Sequence, residues 1–280
     1  MFGIKKVKST KNEYVYSGDV WVRNFTKLNS TPIQETSLIK QSDVDLILHN
    51  ERSNHTLNLE NIAERNFLFP IVIIVSDGYK FEEKIQFLKK TTIPICIIAV
   101  NKALKKWPIA QEKPINFYLI NNPYKEAVYF LPTKYFPACI ASTRTNFNFL
   151  SNYPGVKYVY EPTPEKGFGY QKHEKYFIDD YRNPISAALN IAFRFGSKKV
   201  MLIGCDNSFP EKREGAVELL NGLKTFPQHI RNQEIIDAQL FWLMSVGVKI
   251  SDYSSGLEYK HAAYIKDEEE ALSFISEDES

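Results

Sequence analysis

Cysteine is scarce in this chain: three in 280 residues, Cys96, Cys139 and Cys205, at wide spacings and with no C-x-x-C pair. That excludes a disulfide scaffold. Two of the three sit in or beside apolar runs, so reduced, buried thiols in a cytosolic protein are expected. Long apolar runs are lacking as well. None approaches the roughly 20 residues that span a bilayer, and no basic-then-apolar leader opens the sequence, so a soluble, cytoplasmic protein without a membrane span is expected. Net charge is close to nil, +2 from 35 basic and 33 acidic residues. Such a balance lacks the broad field that draws a protein to nucleic acid or to a membrane surface, and no nucleic-acid partner is expected, although a local basic groove stays open. No cluster of His, Cys, Asp and Glu at metal-ligand spacing stands out, and no segment repeats.

What is present is a large apolar fraction, 44%, against 24% charged residues, enough for one large core or two modest ones. "FPIVIIV" (Phe69 to Val75) and "IPICIIAV" (Ile93 to Val100) are continuous β-branched runs, the pattern of parallel strands covered on both faces. "INFYLI" (Ile115 to Ile120), "ACIAS" (Ala138 to Ser142), "VKYVY" (Val156 to Tyr160), "KKVMLIG" (Lys198 to Gly204) and "VGVKISD" (Val246 to Asp252) continue the series. Between them lie helix-length or loop-length segments, such as "KFEEKIQFLKK" after the first strand. The alternation predicts an α/β fold with a doubly wound, mostly parallel, Rossmann-like sheet, an irregular N-terminal extension and an acidic C-terminal tail. The predicted division is residues 1–65 as an N-terminal elaboration, 66–265 as the Rossmann-like domain, and 266–280 as the tail. Within the first part, "EYVYSGDVWV" reads as a strand pair and "HTLNLENIAERN" as a short helix. The acidic end, "KDEEEALSFISEDES", reads as a solvated helix or frayed tail.

In doubly wound sheets ligands bind beyond the carboxyl ends of the strands, so the residues there are the candidates. The first strand is followed by Asp77 and Gly78, where a glycine turn lets backbone N–H groups approach a phosphate; an ordinary tight turn is the alternative. Asn101 follows the second strand, and Asn121 and Asn122 the third. An asparagine amide suits a base edge, ribose or sugar hydroxyl, but it also caps helices. Asn183 and Pro184 read as the cap and first residue of a helix closed by Gly196, and the next strand delivers Asp206 to the same edge. Arg182 stands just before that helix as a fixed positive charge, with a surface ion pair as the alternative. His229 precedes an amphipathic helix and suits a general base or a phosphate partner, against a merely structural histidine.

Four stretches in order, "AVNKALKK", "FYLINNPYKEAVYF", "YRNPISAALNIAFRFGSKKVMLIGCDNSF" and "HIRNQEIIDAQLFWL", resemble the bacterial CMP-sialic-acid-dependent sialyltransferases with a doubly wound fold. They also resemble the archaeal MptE-like proteins, which are similar to 6-hydroxymethyl-dihydropterin diphosphokinases. The resemblance covers about Phe69 to Ser254. It implies a metal-independent glycosyltransferase that uses a nucleotide-activated sugar, CMP-linked in that family, and a glycan or small-molecule acceptor. It further implies Asn101 and Asn122 as nucleotide contacts, Ser186 as a small polar residue facing the nucleotide, Arg182 as its arginine before the long helix, and His229, with Asn232, as the general base. Two places depart from the pattern. The first loop is Ser76-Asp77-Gly78-Tyr79 rather than Gly-x-Gly-Pro-Ser, and no tyrosine follows Asp206 soon enough to hold the leaving phosphate; Tyr170, Tyr176 and Tyr181 are the nearby substitutes. The MptE-like alternative implies a diphosphokinase that uses ATP and magnesium, but its acidic strand-end motif is missing after "FYLI". A catalytically silent nucleotide-binding module is the third expectation, and a homo-oligomer stays open.

Overall fold

The structure is a computed structural model that describes residues 14–17, 20–23, 41–109, 112–163, 177–180, 183–219, 221–256 and 258–277. In chain order the strands and helices are β1 (Tyr14–Ser17), β2 (Val20–Arg23), α1 (Gln41–His55), β3 (Glu60–Asn61), β4 (Ile71–Val75), α2 (Phe81–Lys84), β5 (Cys96–Val100), β6 (Phe117–Ile120), β7 (Ala138–Ser142) and α3 (Phe147–Asn152). They continue with β8 (Lys157–Pro162), β9 (Phe177–Ile178), α4 (Pro184–Arg194), β10 (Lys199–Ile203), β11 (Val217–Glu218), β12 (Lys224–Thr225), α5 (Pro227–Ser245), β13 (Lys249–Asp252), β14 (Ala263–Tyr264) and α6 (Glu268–Ser276). Ten strands form one sheet in the order β14-β13-β10-β4-β5-β6-β7-β8-β3, with β9 also on β8. Every pairing in it is parallel. The expected α/β, doubly wound, Rossmann-like architecture is therefore present.

The apolar runs form these strands because both faces of the sheet are covered. Alternate residues divide between two cores: Val72 and Ile74 of β4, Val200 and Leu202 of β10 pack under α4 and α5, whereas Ile73, Val75, Met201 and Ile203 pack on the side of α2, α3 and α6. The pleat sends successive side chains to opposite faces, so a run with no polar alternation is what such a strand requires. α4 shows the local logic at both ends. Asn183 Oδ1 accepts from the Ile185 N–H at 2.9 Å, Pro184 fills the first helical position, and Gly196 follows at φ +69°.

Three places differ from the sequence reading. Residues 41–55, read as irregular, form the helix α1. It docks by side-chain amides rather than an apolar stripe: Asn50 Nδ2 donates to the Pro123 carbonyl at 2.8 Å, and Asn54 Nδ2 to those of Thr143 (2.8 Å) and Thr145 (2.6 Å). The short helix read at 55–66 is instead β3 followed by a single 3-10 turn, Ile62–Glu64. Residues 268–276 of the acidic segment, expected as a solvated helix or frayed tail, form the helix α6, which is docked on the sheet. Asp267 caps α6 by accepting from the Glu270 N–H at 3.0 Å, and Ala271 and Ile275 are buried in the second core. Lys199 at the start of β10 donates to the Phe274 carbonyl at 3.0 Å and to that of Glu277, so a buried ammonium holds the last turn of α6. β1 and β2 form the antiparallel pair expected in "EYVYSGDVWV". Among the described residues no helix is long and apolar enough to cross a membrane.

Candidate functional site

β4 and β10 are neighbours, but the chain leaves them in opposite directions. From β4 it crosses by α2 to β5 on one face; from β10 it crosses by α5 to β13 on the other. Loops that diverge in this way leave a crevice at the carboxyl ends of the two strands, where doubly wound folds place ligands. Its floor is made of backbone. The Ser76 N–H donates to the Ile203 carbonyl at 2.9 Å and the Gly78 N–H to the Gly204 carbonyl at 3.0 Å. A Cβ on Gly204 (φ +62°) would stand 2.5 Å from the Ser76 carbonyl oxygen, and one on Gly78 would collide with Asp206 Oδ1. Gly78 thus serves close packing, and its N–H, read as a phosphate donor, already has a partner.

Asp206 is 1% exposed. One carboxylate oxygen, Oδ2, accepts from the Ser208 hydroxyl, while Oδ1 has no hydrogen-bond partner among the described residues. A Cβ on Gly256 would collide with Asp206 Oδ2 and Ser208 Oγ, so the carboxylate is wedged between two glycines. Asp252, at the end of β13, is also buried, and its Oδ1 accepts from the Ser254 N–H at 3.0 Å. Burial raises both carboxyl groups, Asp206 to about 6 against the opposing Ser208 hydrogen bond, and Asp252 to about 7 with the Asp206 charge adding to the effect. Lys84, the last residue of α2, faces the pair. Its Nζ donates to the Ser254 carbonyl at 2.7 Å and lies 4.2 Å from the centre of the Tyr253 ring. Burial lowers its pKa, and the charges of Asp252 and Asp206 oppose that shift.

A second group lies at the next two strand ends. Asn101 follows β5 at φ +49°, a left-handed conformation that asparagine tolerates better than most residues. Asn121 follows β6, and Ser186 sits fully buried in the first turn of α4, whose apolar side packs on the same sheet face as the inner residues of β4, β5 and β6. Asn101 Oδ1, Asn121 Nδ2 and Ser186 Oγ are each buried without a hydrogen-bond partner among the described residues. Each such atom costs about 1–3 kcal/mol. Three of them around adjacent strand ends mark a place where a polar ligand would supply what the protein withholds.

The remaining candidates divide. His229 lies in the first turn of α5, half-buried, with Nδ1 3.2 Å from the Asn207 carbonyl and its ring edge-on to Phe226 at 5.5 Å. Burial lowers its pKa, so the ring is neutral near pH 7. Its partner Asn207 is the residue that follows Asp206. Asn122 and Asp77 have other partners: Asn122 Oδ1 accepts from the Tyr124 N–H at 2.9 Å and closes the turn after β6, and Asp77 is 3.8 Å from Lys106 Nζ. Arg182, Tyr170, Tyr176 and Tyr181 lie outside the described residues. The sequence reading passed over Lys84, Ser208, Asp252 and Ser254. Asp252 ends a strand that the sequence shows, so the rule that leads to Asp206 also reaches it; nothing local distinguishes Lys84 from Lys80, Lys89 and Lys90 around it. Among the described residues no three His, Cys, Asp or Glu side chains are grouped to hold a metal ion.

No protein-family model matches the sequence, and a search of the curated proteins returns no match. Among solved structures, the fold is similar to that in "Structure of MAf glycosyltransferase from Magnetospirillum magneticum AMB-1", with a TM-score of 0.58 and 13% sequence identity over 82% of this chain. The match spans 41% of that protein's length, and at this identity it establishes a shared fold.

Proposed function

We propose that the chain is a glycosyltransferase-like transferase that takes a nucleotide-activated sugar and passes the sugar to a glycan or small-molecule acceptor, with a CMP-linked donor as the leading case. The carrying observation is the set of buried atoms Asn101 Oδ1, Asn121 Nδ2 and Ser186 Oγ, which have no hydrogen-bond partner among the described residues. They offer acceptors and donors suited to a base and ribose at the strand ends where this fold binds ligands. The fold shared with a solved glycosyltransferase supports the reading.

The chemistry asks little beyond positioned groups. As the bond between sugar and phosphate breaks, the acceptor hydroxyl must give up a proton and the departing phosphate gains negative charge. A neutral His229 takes the proton. Arg182 is the proposed partner of the phosphate, a role that Lys84 can share because its ammonium keeps donor capacity beyond the Ser254 carbonyl. The proposed reaction needs no metal.

The test is a thermal-shift screen of CMP, UDP, GDP, ADP and ATP, with and without magnesium, followed by nucleotide release from the matching sugar donors. The proposal expects stabilisation by one sugar-carrier nucleotide without metal, and release that His229→Ala abolishes. Stabilisation only by ATP with magnesium, and AMP formed in the presence of hydroxymethylpterin, would favour the diphosphokinase alternative. One observation favours a silent nucleotide-binding module: the Gly78 N–H is bonded to the Gly204 carbonyl instead of facing the crevice. Binding with no turnover of any donor would select that reading.

A further inference from the structure

The turn after β10 is fixed more firmly than a connection requires. Asn207 stands at φ +50°, a conformation that costs a residue with a side chain and persists where neighbours over-determine it. Here they do so on every side. The Cys205 N–H donates to Ser254 Oγ at 3.1 Å, and its carbonyl accepts from the Tyr259 hydroxyl at 2.7 Å. Ser208 Oγ donates back to Asp206 Oδ2 across Asn207 itself. Gly78 and Gly256 leave Asp206 no room to move. What this arrangement presents is the Asn207 carbonyl, which accepts from Thr225 Oγ1 at 3.0 Å and meets His229 Nδ1 at 3.2 Å.

We propose that Asp206 and Ser208 are positioning residues for His229: their hydrogen bond clasps the turn so that the Asn207 carbonyl selects the ring tautomer with its proton on Nδ1. A carbonyl oxygen can only accept, so the bond demands Nδ1–H, and in the neutral ring the lone pair then sits on Nε2. The inference rests on His229 as the base of the proposed transfer, and it explains a feature that a structural turn would not need. A carboxylate 1% exposed is costly to bury, and a serine or asparagine would close an ordinary turn as well. The cost is reasonable if the turn must hold a hydrogen-bond acceptor at one fixed point. Neither Asp206 nor Ser208 touches the reacting atoms; both act through Asn207.

The tautomer can be read without any substrate. In the full chain labelled with 15N-histidine, long-range 1H–15N spectra at pH 8 separate Nδ1–H from Nε2–H rings, and His229→Ala assigns the signal among the five histidines. The expected result is a single Nδ1–H tautomer in the wild type and a mixture in both Ser208→Ala and Asp206→Ala, each of which removes the bond between Ser208 and Asp206. An Nε2–H ring in the wild type overturns the proposal outright, as does a Ser208→Ala spectrum identical to it. If a donor is found, Ser208→Ala lowers kcat by about tenfold or more with little change in KM. A locked tautomer with no turnover of any donor leaves the clasp standing and removes the transferase reading, so the two can fail separately.

Discussion

The two edges of the central sheet are built to opposite rules. At the amino edge, Phe67, Phe69, Phe117 and Phe195 close on one another with ring centres 5.3–6.1 Å apart, and the nearby buried cation, Lys199, has two carbonyl partners. At the carboxyl edge, Asn101 Oδ1, Asn121 Nδ2, Ser186 Oγ and Asp206 Oδ1 are buried without hydrogen-bond partners among the described residues, and three of the four described left-handed residues with side chains, Lys80, Asn101 and Asn207, stand there. The same strands run through both edges, so the difference reflects the demands of each end rather than the quality of the fold. Natural proteins break local rules where function requires it and offset the cost elsewhere. The phenylalanine edge is where this chain offsets it.

Substitutions that move one edge toward the other's rules test the contrast. The largest effect is expected from Phe195→Ala, which empties the centre of the ring cluster: about 3–5 kcal/mol lost in urea unfolding, with nucleotide-induced stabilisation unchanged in whatever fraction remains folded. Gly78→Ala comes next. Its Cβ would meet Asp206 Oδ1 and stand 2.5 Å from the Gly204 carbonyl oxygen, so about 2 kcal/mol of overpacking cost is expected together with loss of ligand-induced stabilisation. Asp252→Asn reads the electrostatics. Asp206 and Asp252 have raised folded-state values, about 6 and about 7. The stability linked to them is full below the unfolded value near 4 and is lost as pH rises through 6 and 7. The variant should therefore match the wild type near pH 4 and exceed it by on the order of 1–2 kcal/mol at pH 8 in urea unfolding, and a variant no more stable than the wild type at pH 8 refutes the assignment. The smallest effect is expected for Ser186→Ala: a gain of up to about 1 kcal/mol, because an unpartnered hydroxyl is removed, coupled with weaker nucleotide binding. Loss of stability there would mean that Ser186 belongs with the satisfied residues of the other edge.

The sequence discloses these two edges unequally. β4, β5, β6, β7, β8, β10 and β13 are legible as apolar runs, because a strand covered on both faces needs little else. The α4 boundaries are legible from Asn183, Pro184 and Gly196. α1 was not, because its buried side uses Asn50 and Asn54 hydrogen bonds to loops 73 and 89 residues away, and amide docking leaves no periodic trace. The edge strands β3, β9 and β14 span two residues each, too short for any pattern. Within the site, Gly78, Asn101 and Asp206 were found because strand ends are a local feature. Lys84 was not, since its meaning lies in Tyr253 and Ser254, 169 and 170 residues away in sequence. The Asn207 carbonyl belongs to the backbone and has no letter in the sequence.

The pairing of β4 with β10 also governs when the site can exist. β4 ends at Val75 and β10 begins at Lys199, so 199 − 75 = 124 positions separate them, although they lie side by side from Ile71–Lys199 to Val75–Ile203. A ribosome adding roughly 5–20 residues per second leaves one edge of β4 without its partner for about 6–25 s. Contacts so distant in sequence are slow to form, and until they do that strand is an open template for wrong pairing. Because both walls of the crevice depend on this late closure, a chain that binds the proposed ligand there has already paired β4 with β10. Binding of the proposed nucleotide would therefore double as a gauge of that pairing, and the nucleotide present during synthesis or refolding is expected to draw chains out of the half-paired state.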